Sequence, residues 1–309
     1  MKIQNSILTN EEKIIFTLRA IYDRFGYSLY KMSKFEPYDL YVRNKDFLIS
    51  DHVITFTDVN GKLMALKPDV TLSIIKNSKD EAGKVEKLYY NENVYRVAGA
   101  GRNYREIMQV GLECIGDIDE TCVGEVVTLA LQSLRAISSD FVLDLSHPGI
   151  VTAITEGMAD AVKGAILKCV GEKNRHELAL ICRQNGVDQT TAELLDGVIG
   201  CYGTPDAVLA QLQAMALPAA AMCAVKELEA LVSGLADRDN LRIDLSSVSN
   251  TKYYNGITFK GFINGVPESV LSGGRYDKLL ARMGRTSGAI GFAVYLDALE
   301  RFVIEEVGE

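Results

Sequence analysis

The chain has 309 residues, of which 48% are hydrophobic and 24% are charged, and its formal net charge is −8. This composition is typical of a globular protein, and no apolar run reaches the roughly 18 residues that a membrane-spanning helix needs. The N-terminal segment lacks the apolar core of a signal peptide, so we predict a cytoplasmic protein. The acidic charge and the scattered basic residues weigh against tRNA as a partner, because affinity for phosphates comes mainly from lysine and arginine.

The six cysteines include no C-x-x-C pair, and none of the three histidines stands at ligand spacing from a cysteine pair. Zinc sites in proteins need such clusters, and a disulfide framework is typical of shorter secreted chains. We therefore expect free thiols in a reducing cytoplasm, with no metal and no cofactor.

The first predicted element is a helix over residues 11–25, where apolar residues recur at helical spacing. Thr9 and Glu12 form a plausible capping box before the helix, and Gly26 follows its last apolar residue.

Strand signals dominate residues 45–118. Two apolar runs flank Asn60-Gly61, a dipeptide typical of hairpin turns. Two longer runs, residues 87–97 and 106–117, predict strands joined by the glycine-rich turn at residues 98–103. Residues 119–138 return to a helical pattern.

The second half changes character twice. After a buried strand over residues 140–146, residues 148–239 are rich in alanine and leucine and predict a helical segment broken at glycines and at Pro218. Strand patterns resume from residue 241 and run into a terminal helix. The prediction is an α+β fold with a discontinuous core (residues 1–148 and 241–309) and a helical insertion (residues 149–240).

Four segments occur in an order and spacing that resemble the catalytic core of class II histidyl-tRNA synthetases. They are residues 66–71 (LKPDVT), residues 94–113 (VYRVAGAGRNYREIMQVGLE), residues 253–259 (YYNGITF), and residues 272–277 (SGGRYD) with residues 289–293 (AIGFA). The resemblance implies an antiparallel sheet flanked by helices and a dimer that forms through the core.

The resemblance also implies an amino-acid pocket. Acidic and carbonyl acceptors suit an α-ammonium group, whereas tyrosines and a carboxylate suit an imidazole ring. The candidate histidine-binding residues are Asp69, Thr71, Arg96, Gln109, Glu113, Tyr253, Tyr254, Gly273 and Gly274.

Departures from the synthetase pattern fall on the residues that handle ATP. Ala298 stands where motif 3 has an arginine, Tyr295 replaces the glycine before it, and Ser249 replaces a second arginine. A methyl group cannot replace a guanidinium fork, and phosphoryl chemistry depends on positioned positive charge. We therefore expect no synthetase catalysis and assign no catalytic residue.

Three further departures accompany the loss of the arginines. Residues 97–100 (VAGA) replace a charged loop, and Ser33 lies where motif 1 usually has proline, three residues before Glu36. Because the sequence ends at Glu309, just after the motif 3 segment, we also expect no anticodon-binding domain. This profile resembles the family of regulatory subunits of short-form ATP phosphoribosyltransferase. The resemblance implies a hetero-oligomer with the short catalytic subunit, which this chain would activate in the first step of histidine biosynthesis while sensing histidine.

Two other functions remain open. One is a stand-alone amino-acid-activating paralogue in which adenylation survives through Arg96 and a metal; the other is a partner-binding scaffold with a vestigial pocket. An RNA-binding role is disfavoured by the acidic charge.

Individual residues also have simpler interpretations. Asp69 could serve only as a helix cap, and Arg96 could pair with an acid rather than a ligand. Tyr253 and Tyr254 would point to opposite faces of a strand, which favours Tyr254 for the pocket. Arg102 and Arg105 fit a solvated turn or an interface, and the Gly273-Gly274 pair fits a bulge.

Overall fold

The computed structural model describes residues 7–45, 48, 53–81, 83–98, 103–247 and 253–299. The chain divides into two compact units. Unit 1 comprises Met1–Phe141, Phe262–Gly273 and Asp277–Glu309, and unit 2 comprises Val142–Gly261 and Gly274–Tyr276.

The helices of the described residues, in chain order, are α1 (Asn10–Arg24), α2 (Tyr38–Arg43), α3 (Thr71–Asn77), α4 (Glu120–Ile137), α5 (Gly149–Ile154), α6 (Asp160–Gly171), α7 (Arg175–Gln184), α8 (Gln189–Ile199), α9 (Pro205–Ala214), α10 (Ala219–Gly234) and α11 (Asp277–Arg282). The strands are β1 (Ser28–Leu29), β2 (Phe35–Pro37), β3 (Thr55–Thr57), β4 (Leu63–Leu66), β5 (Val85–Ala98), β6 (Asn103–Gly116), β7 (Phe141–Ser146), β8 (Tyr202–Gly203), β9 (Leu241–Asp244), β10 (Thr258–Ile263), β11 (Leu271–Arg275) and β12 (Gly288–Tyr295). Within the described part of the chain, no helix combines the length and hydrophobicity that crossing a bilayer requires.

Unit 1 is built on a sheet with the strand order β1-β5-β6-β12-β11. The long strands β5 and β6 form an antiparallel hairpin in which Val85 pairs with Gly116 and Ala98 pairs with Asn103. This pairing confirms the two predicted strands, whereas the turn between them falls at residues 99–102, outside the described residues. Helices α1 and α4 lie together, and the buried hydroxyls of Tyr22 and Ser133 are 2.9 Å apart.

A second, three-stranded sheet in unit 1 has the order β2-β4-β3. Strands β3 and β4 are antiparallel, and the Asn60-Gly61 turn between them confirms the predicted hairpin. Gly61 has a φ of +80°, a conformation that a residue with a Cβ rarely adopts. The side chain of Asp58 accepts the backbone N–H groups of Asn60 and Lys62, which closes the turn.

The start of α1 also matches the prediction. Thr9 Oγ1 accepts the backbone N–H of Glu12 at 3.2 Å, and Glu12 Oε2 accepts the N–H of Thr9 at 2.8 Å. The two bonds satisfy donors that the first helical turn leaves without partners. Gly26, with a φ of +81°, follows the end of the helix.

Unit 2 contains the strand order β10-β7-β9-β8 and the six helices α5–α10. The helical character predicted for residues 148–239 is confirmed, apart from the short strand β8. Strands β7 and β9 are parallel, as are β1 and β5 in unit 1, so the sheets are not wholly antiparallel. Parallel neighbours need a long crossover connection, and helices α5–α10 supply it between β7 and β9.

The strands β7 and β9 cluster with these helices in unit 2, so the compact unit is larger than the predicted insertion of residues 149–240. The domain limits proposed from the sequence therefore stay a prediction. The predicted terminal helix falls on residues 300–309, which lie outside the described residues; the last described element is a short 3-10 turn, Asp297–Leu299.

Candidate functional site

The first part of the candidate site lies at the start of α3. Asp69 is buried, and its Oδ1 accepts the backbone N–H of Leu72 at 2.9 Å. Val70 occupies the N-cap position without a side-chain bond, so Asp69 takes over the capping function from one residue further back. Burial raises the pKa of the Asp69 carboxyl, while the Leu72 N–H and the Arg96 guanidinium act in the opposite direction. The capping role and a place in a pocket are therefore compatible.

Strand β6 presents Gln109 and Glu113 on the same face, because they are four residues apart on a strand. Both side chains are buried. Thr71 Oγ1 donates to Glu113 Oε1 at 2.7 Å, which joins the start of α3 to the middle of β6. Gly291 on β12 pairs with Glu113, and a Cβ at Gly291 would collide with the Glu113 carboxylate. The glycine therefore makes room for a buried acid.

The side-chain nitrogen Nε2 of Gln109 is buried and has no hydrogen-bond partner among the described residues. A buried polar group without a partner costs free energy comparable to a lost hydrogen bond. Most buried polar groups in proteins have a hydrogen-bond partner. A ligand that offers a hydrogen-bond acceptor at this point would satisfy the Gln109 amide.

Arg96 on β5 donates from Nε to the carbonyl oxygen of Pro68 at 3.0 Å. The bond ties β5 to the segment before α3, and the guanidinium charge favours the ionised form of Asp69. Arg105 is half exposed and pairs with Asp297 at 3.1 Å, so it is not a free turn residue. Arg102 lies outside the described residues.

Four residues near Asp69, Gln109 and Glu113 were not predicted from the sequence to belong to the candidate site. Lys67 is fully buried and forms an ion pair with Glu92, which stands opposite Gln109 in the β5–β6 hairpin. Tyr90, on the same face of β5, is also buried, and burial together with the charges of Glu113 and Asp69 raises the pKa of its hydroxyl. The hairpin register could have identified Tyr90 and Glu92, because they stand opposite Gly111 and Gln109 and therefore share the face that carries Gln109 and Glu113.

The fourth of these residues is Tyr295, at the end of β12 and paired with Gln109. Burial raises the pKa of its hydroxyl, whereas Arg96 and a hydrogen bond with Ser272 act in the opposite direction. The sequence identified Tyr295 only as a substitution for glycine. Its ring stands near Arg96 and Asp69, on the same side of the sheet as the acidic residues of the candidate site.

Tyr253, Tyr254 and Gly274 belong to unit 2, whereas Gly273 belongs to unit 1. The prediction that the two tyrosines lie on a strand is wrong, because β10 begins only at Thr258. Their rings contact each other at 4.7 Å between centroids, and the Tyr253 ring also packs at 5.5 Å from Tyr276. Tyr253 is buried and Tyr254 half-buried, so packing accounts for Tyr253 without a ligand.

Gly274 has a structural explanation of its own. Its φ is +157°, and a Cβ there would come within 2.7 Å of the Ile257 carbonyl oxygen and 2.8 Å of the Tyr254 ring. The missing side chain thus makes room for atoms of the protein itself. A ligand contact at Gly273 or Gly274 stays a prediction.

Of the departures from the synthetase pattern, Ser33, Val97, Ala98, Tyr295 and Ala298 lie in the described residues, whereas Gly99, Ala100 and Ser249 do not. Asp297 pairs with Arg105, beside the position where Ala298 replaces the arginine.

Comparison with known proteins identifies the family. The family model described as histidyl-tRNA synthetase matches residues 5–299. The chain belongs to this family. The fold class predicted from the sequence, a large sheet flanked by helices as in class II synthetases, is confirmed.

Curated relatives within the family carry a regulatory name. The chain is 28% identical over 288 residues to an ATP phosphoribosyltransferase regulatory subunit of Alkaliphilus metalliredigens, covering 89% of this chain and 72% of that protein. It is 29% identical over 289 residues to the protein of the same name from Caldanaerobacter subterraneus, covering 90% of this chain and 75% of that protein. The predicted resemblance to these regulatory subunits is confirmed.

Solved structures share the fold. A regulatory subunit/histidyl-tRNA synthetase from Bacillus halodurans superposes with a TM-score of 0.81 at 24% identity, covering 94% of this chain and 78% of that one. A chain of an ATP phosphoribosyl transferase complex from Thermotoga maritima superposes with a TM-score of 0.73 at 18% identity, covering 94% of this chain and 98% of that one. At these identities the likeness concerns the fold alone.

Proposed function

We propose that this chain is a non-catalytic regulatory subunit of a short-form ATP phosphoribosyltransferase, which activates the catalytic subunit in the first step of histidine biosynthesis and binds histidine as its effector. The observation that carries the proposal is the similarity, over about 90% of the chain, to proteins named as regulatory subunits of this enzyme.

Histidine binding is supported by a set of buried polar side chains in unit 1. Asp69 and Glu113 supply carboxylates, and Gln109 has an amide nitrogen without a partner in the described part of the chain. An α-amino acid carries the complementary groups, an ammonium that donates and a carboxylate that accepts. The ammonium would bind at the carboxylates and the carboxylate would bind at the Gln109 amide and at Arg96. Thr71 holds the Glu113 carboxylate in place.

The residues that face the pocket argue against synthetase chemistry. Adenylation needs cations positioned on the phosphates. At the end of β12 the chain instead has a tyrosyl ring at Tyr295 and a methyl group at Ala298. Neither side chain carries the positive charge that the missing arginine would place on the phosphates.

A homodimer is part of the proposal, and an exposed apolar face supports it. In the small sheet, Phe35 pairs with Leu66 and Phe56 pairs with Met64, so the four side chains share one face. The rings of Phe35 and Phe56 contact each other at 5.2 Å, yet the two side chains are 48% and 38% exposed. Clustered exposed apolar side chains mark interaction sites. Light scattering of the wild type and of Phe35→Asp would test this, and a wild-type monomer would contradict it.

The decisive experiment is a reconstitution. The chain is mixed with a short-form catalytic subunit from the same organism, and phosphoribosyl-ATP formation is followed with and without histidine. Activity that requires this chain and falls when histidine is added supports the proposal. A competent catalytic subunit that gains nothing from this chain would overturn it. Histidine-dependent exchange of pyrophosphate with ATP by the chain alone would instead favour an amino-acid-activating enzyme.

A further inference from the structure

Tyr295 stands at one end of the sheet face that carries the candidate histidine site. On strand β12 that face presents Ala289, Gly291, Ala293 and Tyr295, because Gly291 pairs with Glu113 and side chains alternate along a strand. The first three residues have a methyl group or no side chain. Strand β12 therefore stays low on this face until Tyr295, where a phenol ring rises from it.

The Tyr295 ring lies beside the polar end of the site. Tyr295 pairs with Gln109, whose buried Nε2 has no hydrogen-bond partner among the described residues. The Arg96 charge also acts on the Tyr295 hydroxyl and opposes the rise in its pKa that burial causes. The proposed function assigns the carboxylate of the ligand to Gln109 and Arg96. Tyr295 is then the next large side chain beyond that carboxylate.

Contacts with the protein hold the Tyr295 ring in place. Its hydroxyl is hydrogen-bonded to the side chain of Ser272 on β11, the strand beside β12. Two residues further along the chain, Asp297 pairs with the half-exposed Arg105. Tyr295 itself is half-buried, whereas Gln109 is only 3% exposed. Tyr295 therefore occupies the step between the buried part of the site and an ion pair at its exposed edge, the place of an end wall.

We propose that Tyr295 makes this site selective for α-amino acids with a free carboxylate, because its ring excludes ligands whose carboxyl group carries a large substituent. Such a substituent would extend from Gln109 and Arg96 toward the ring and collide with it. The inference rests on the proposed function, since it needs the amino acid to bind with its carboxylate at these two residues. Tyr295 is then a specificity-determining residue.

Two neutral derivatives of histidine separate size from charge. Histidinamide and histidine benzylamide both lack the carboxylate charge, and they differ in the bulk on the amide nitrogen. Calorimetric titration of the full-length chain, alone and reconstituted with the short-form catalytic subunit, should show at least about tenfold weaker binding of the benzylamide. Equal affinities overturn the proposal. Failure of both amides to bind also overturns it, because the charge alone would then decide the selectivity.

Variants test the ring directly. Tyr295→Ala removes the ring and should raise the affinity for the benzylamide at least about tenfold, whereas Tyr295→Phe keeps the ring and should exclude the benzylamide as the wild type does. The matched control is Tyr104→Ala, since Tyr104 is 75% exposed on the opposite face of β6. No gain in Tyr295→Ala, with the melting temperature of the wild type, overturns the proposal. If Tyr295→Ala does not fold, the comparison of the two amides in the wild type decides.

Histidine itself distinguishes failure of this inference from failure of the proposed function. If the wild type binds histidine neither alone nor in the complex, the proposed site is wrong and the inference falls with it. If the wild type binds histidine but binds the two amides equally, the site stands and only the role of Tyr295 is wrong.

Discussion

The two ends of helix α3 differ sharply in chemistry. At its start lie Asp69, just before the helix, and Thr71, its first residue; both are buried, and Thr71 contacts the buried Glu113. In its last turn lies Lys76, which is half exposed and pairs with the buried Glu36. The arrangement agrees with the helix dipole, which favours anions at the N-terminus and cations at the C-terminus. The seven-residue helix thus joins a closed group of carboxylates to a half-exposed ion pair, and the energetic cost of disturbing each should differ accordingly.

The largest effect is expected at the closed end, in the Lys67–Glu92 pair. Lys67 is fully buried, and the Glu92 side chain is 18% exposed. Lys67→Met leaves Glu92 without its cation in a site of low solvent access, so the free energy of unfolding should fall by about 3–5 kcal/mol. Denaturant unfolding of the two proteins measures the difference.

Two controls sharpen that measurement. The double variant Lys67→Met/Glu92→Leu removes both charges and should recover most of the lost stability. Lys84→Met breaks an exposed ion pair with Glu81 in the same unit and should cost less than about 1 kcal/mol. Similar losses for Lys67→Met and Lys84→Met would show that the closed end is open to water.

The next effect concerns the ligand. Glu113→Gln keeps the shape of the side chain and an acceptor for Thr71 Oγ1 but removes the negative charge. If histidine binds here through its ammonium, its affinity should fall by about 10–100-fold, because bonds to charged groups contribute about 1.5–3 kcal/mol. Calorimetric titration with histidine measures the loss, and Glu125→Gln, which lies on α4, is the control. Unchanged affinity would remove Glu113 from the proposed site.

Asp69 adds a pH dependence with a definite sign. Because burial raises the pKa of its carboxyl above the usual value, Asp69 becomes protonated at a higher pH than an exposed aspartate. An ammonium ligand binds the ionised carboxylate, so histidine affinity should fall as the pH drops toward that raised pKa. Asp69→Asn should bind weakly and lack this part of the pH dependence. Parallel pH curves for the two proteins would contradict the assignment.

Much of the fold was predictable because local signals and tertiary packing agree. The capping box at Thr9 and Glu12, the Asn60-Gly61 hairpin and the pairing of β5 with β6 follow from turn chemistry and alternation. The parallel pairings of β1 with β5 and of β7 with β9 were missed. A sequence pattern predicts a strand but does not indicate with which distant strand it pairs.

The candidate site was predictable only in part. The resemblance of residues 66–71 and 94–113 to the synthetase core indicated Thr71 and Glu113, and the structure brings these two together. Nothing in the sequence marked Lys67 as buried, because lysine is rarely buried unless paired and its partner, Glu92, is 25 residues away. Tyr253 and Tyr254 were misplaced on a strand because aromatic residues favour strands, whereas the chain here is irregular.

At the open end of α3 the expected effect is smaller. Lys76→Met removes the cation of the Glu36 pair but leaves the bond from Ser73, and Lys76 is 40% exposed. We expect a loss of about 1–3 kcal/mol, the desolvation cost of one buried group that loses a partner. Lys76→Arg should restore most of it, whereas a loss as large as that of Lys67→Met would erase the difference between the two ends. Equilibrium unfolding in urea gives both values.

The smallest effect is expected at Asp80, which accepts hydrogen bonds from Arg285 and Ser287. These bonds, Arg285 first, lower the pKa of the Asp80 carboxyl to about 2. A depressed folded-state pKa stabilises the fold above the unfolded pKa of about 3.9, and this contribution is lost as the pH falls through the folded value. The pair is partly exposed, so its contribution at neutral pH should be about 1 kcal/mol or less. The stability difference between the wild type and Asp80→Asn should therefore be constant above about pH 5 and shrink toward pH 2. In an Arg285→Met background the difference should be small at every pH, and a difference that persists there would assign the low pKa to a group other than Arg285.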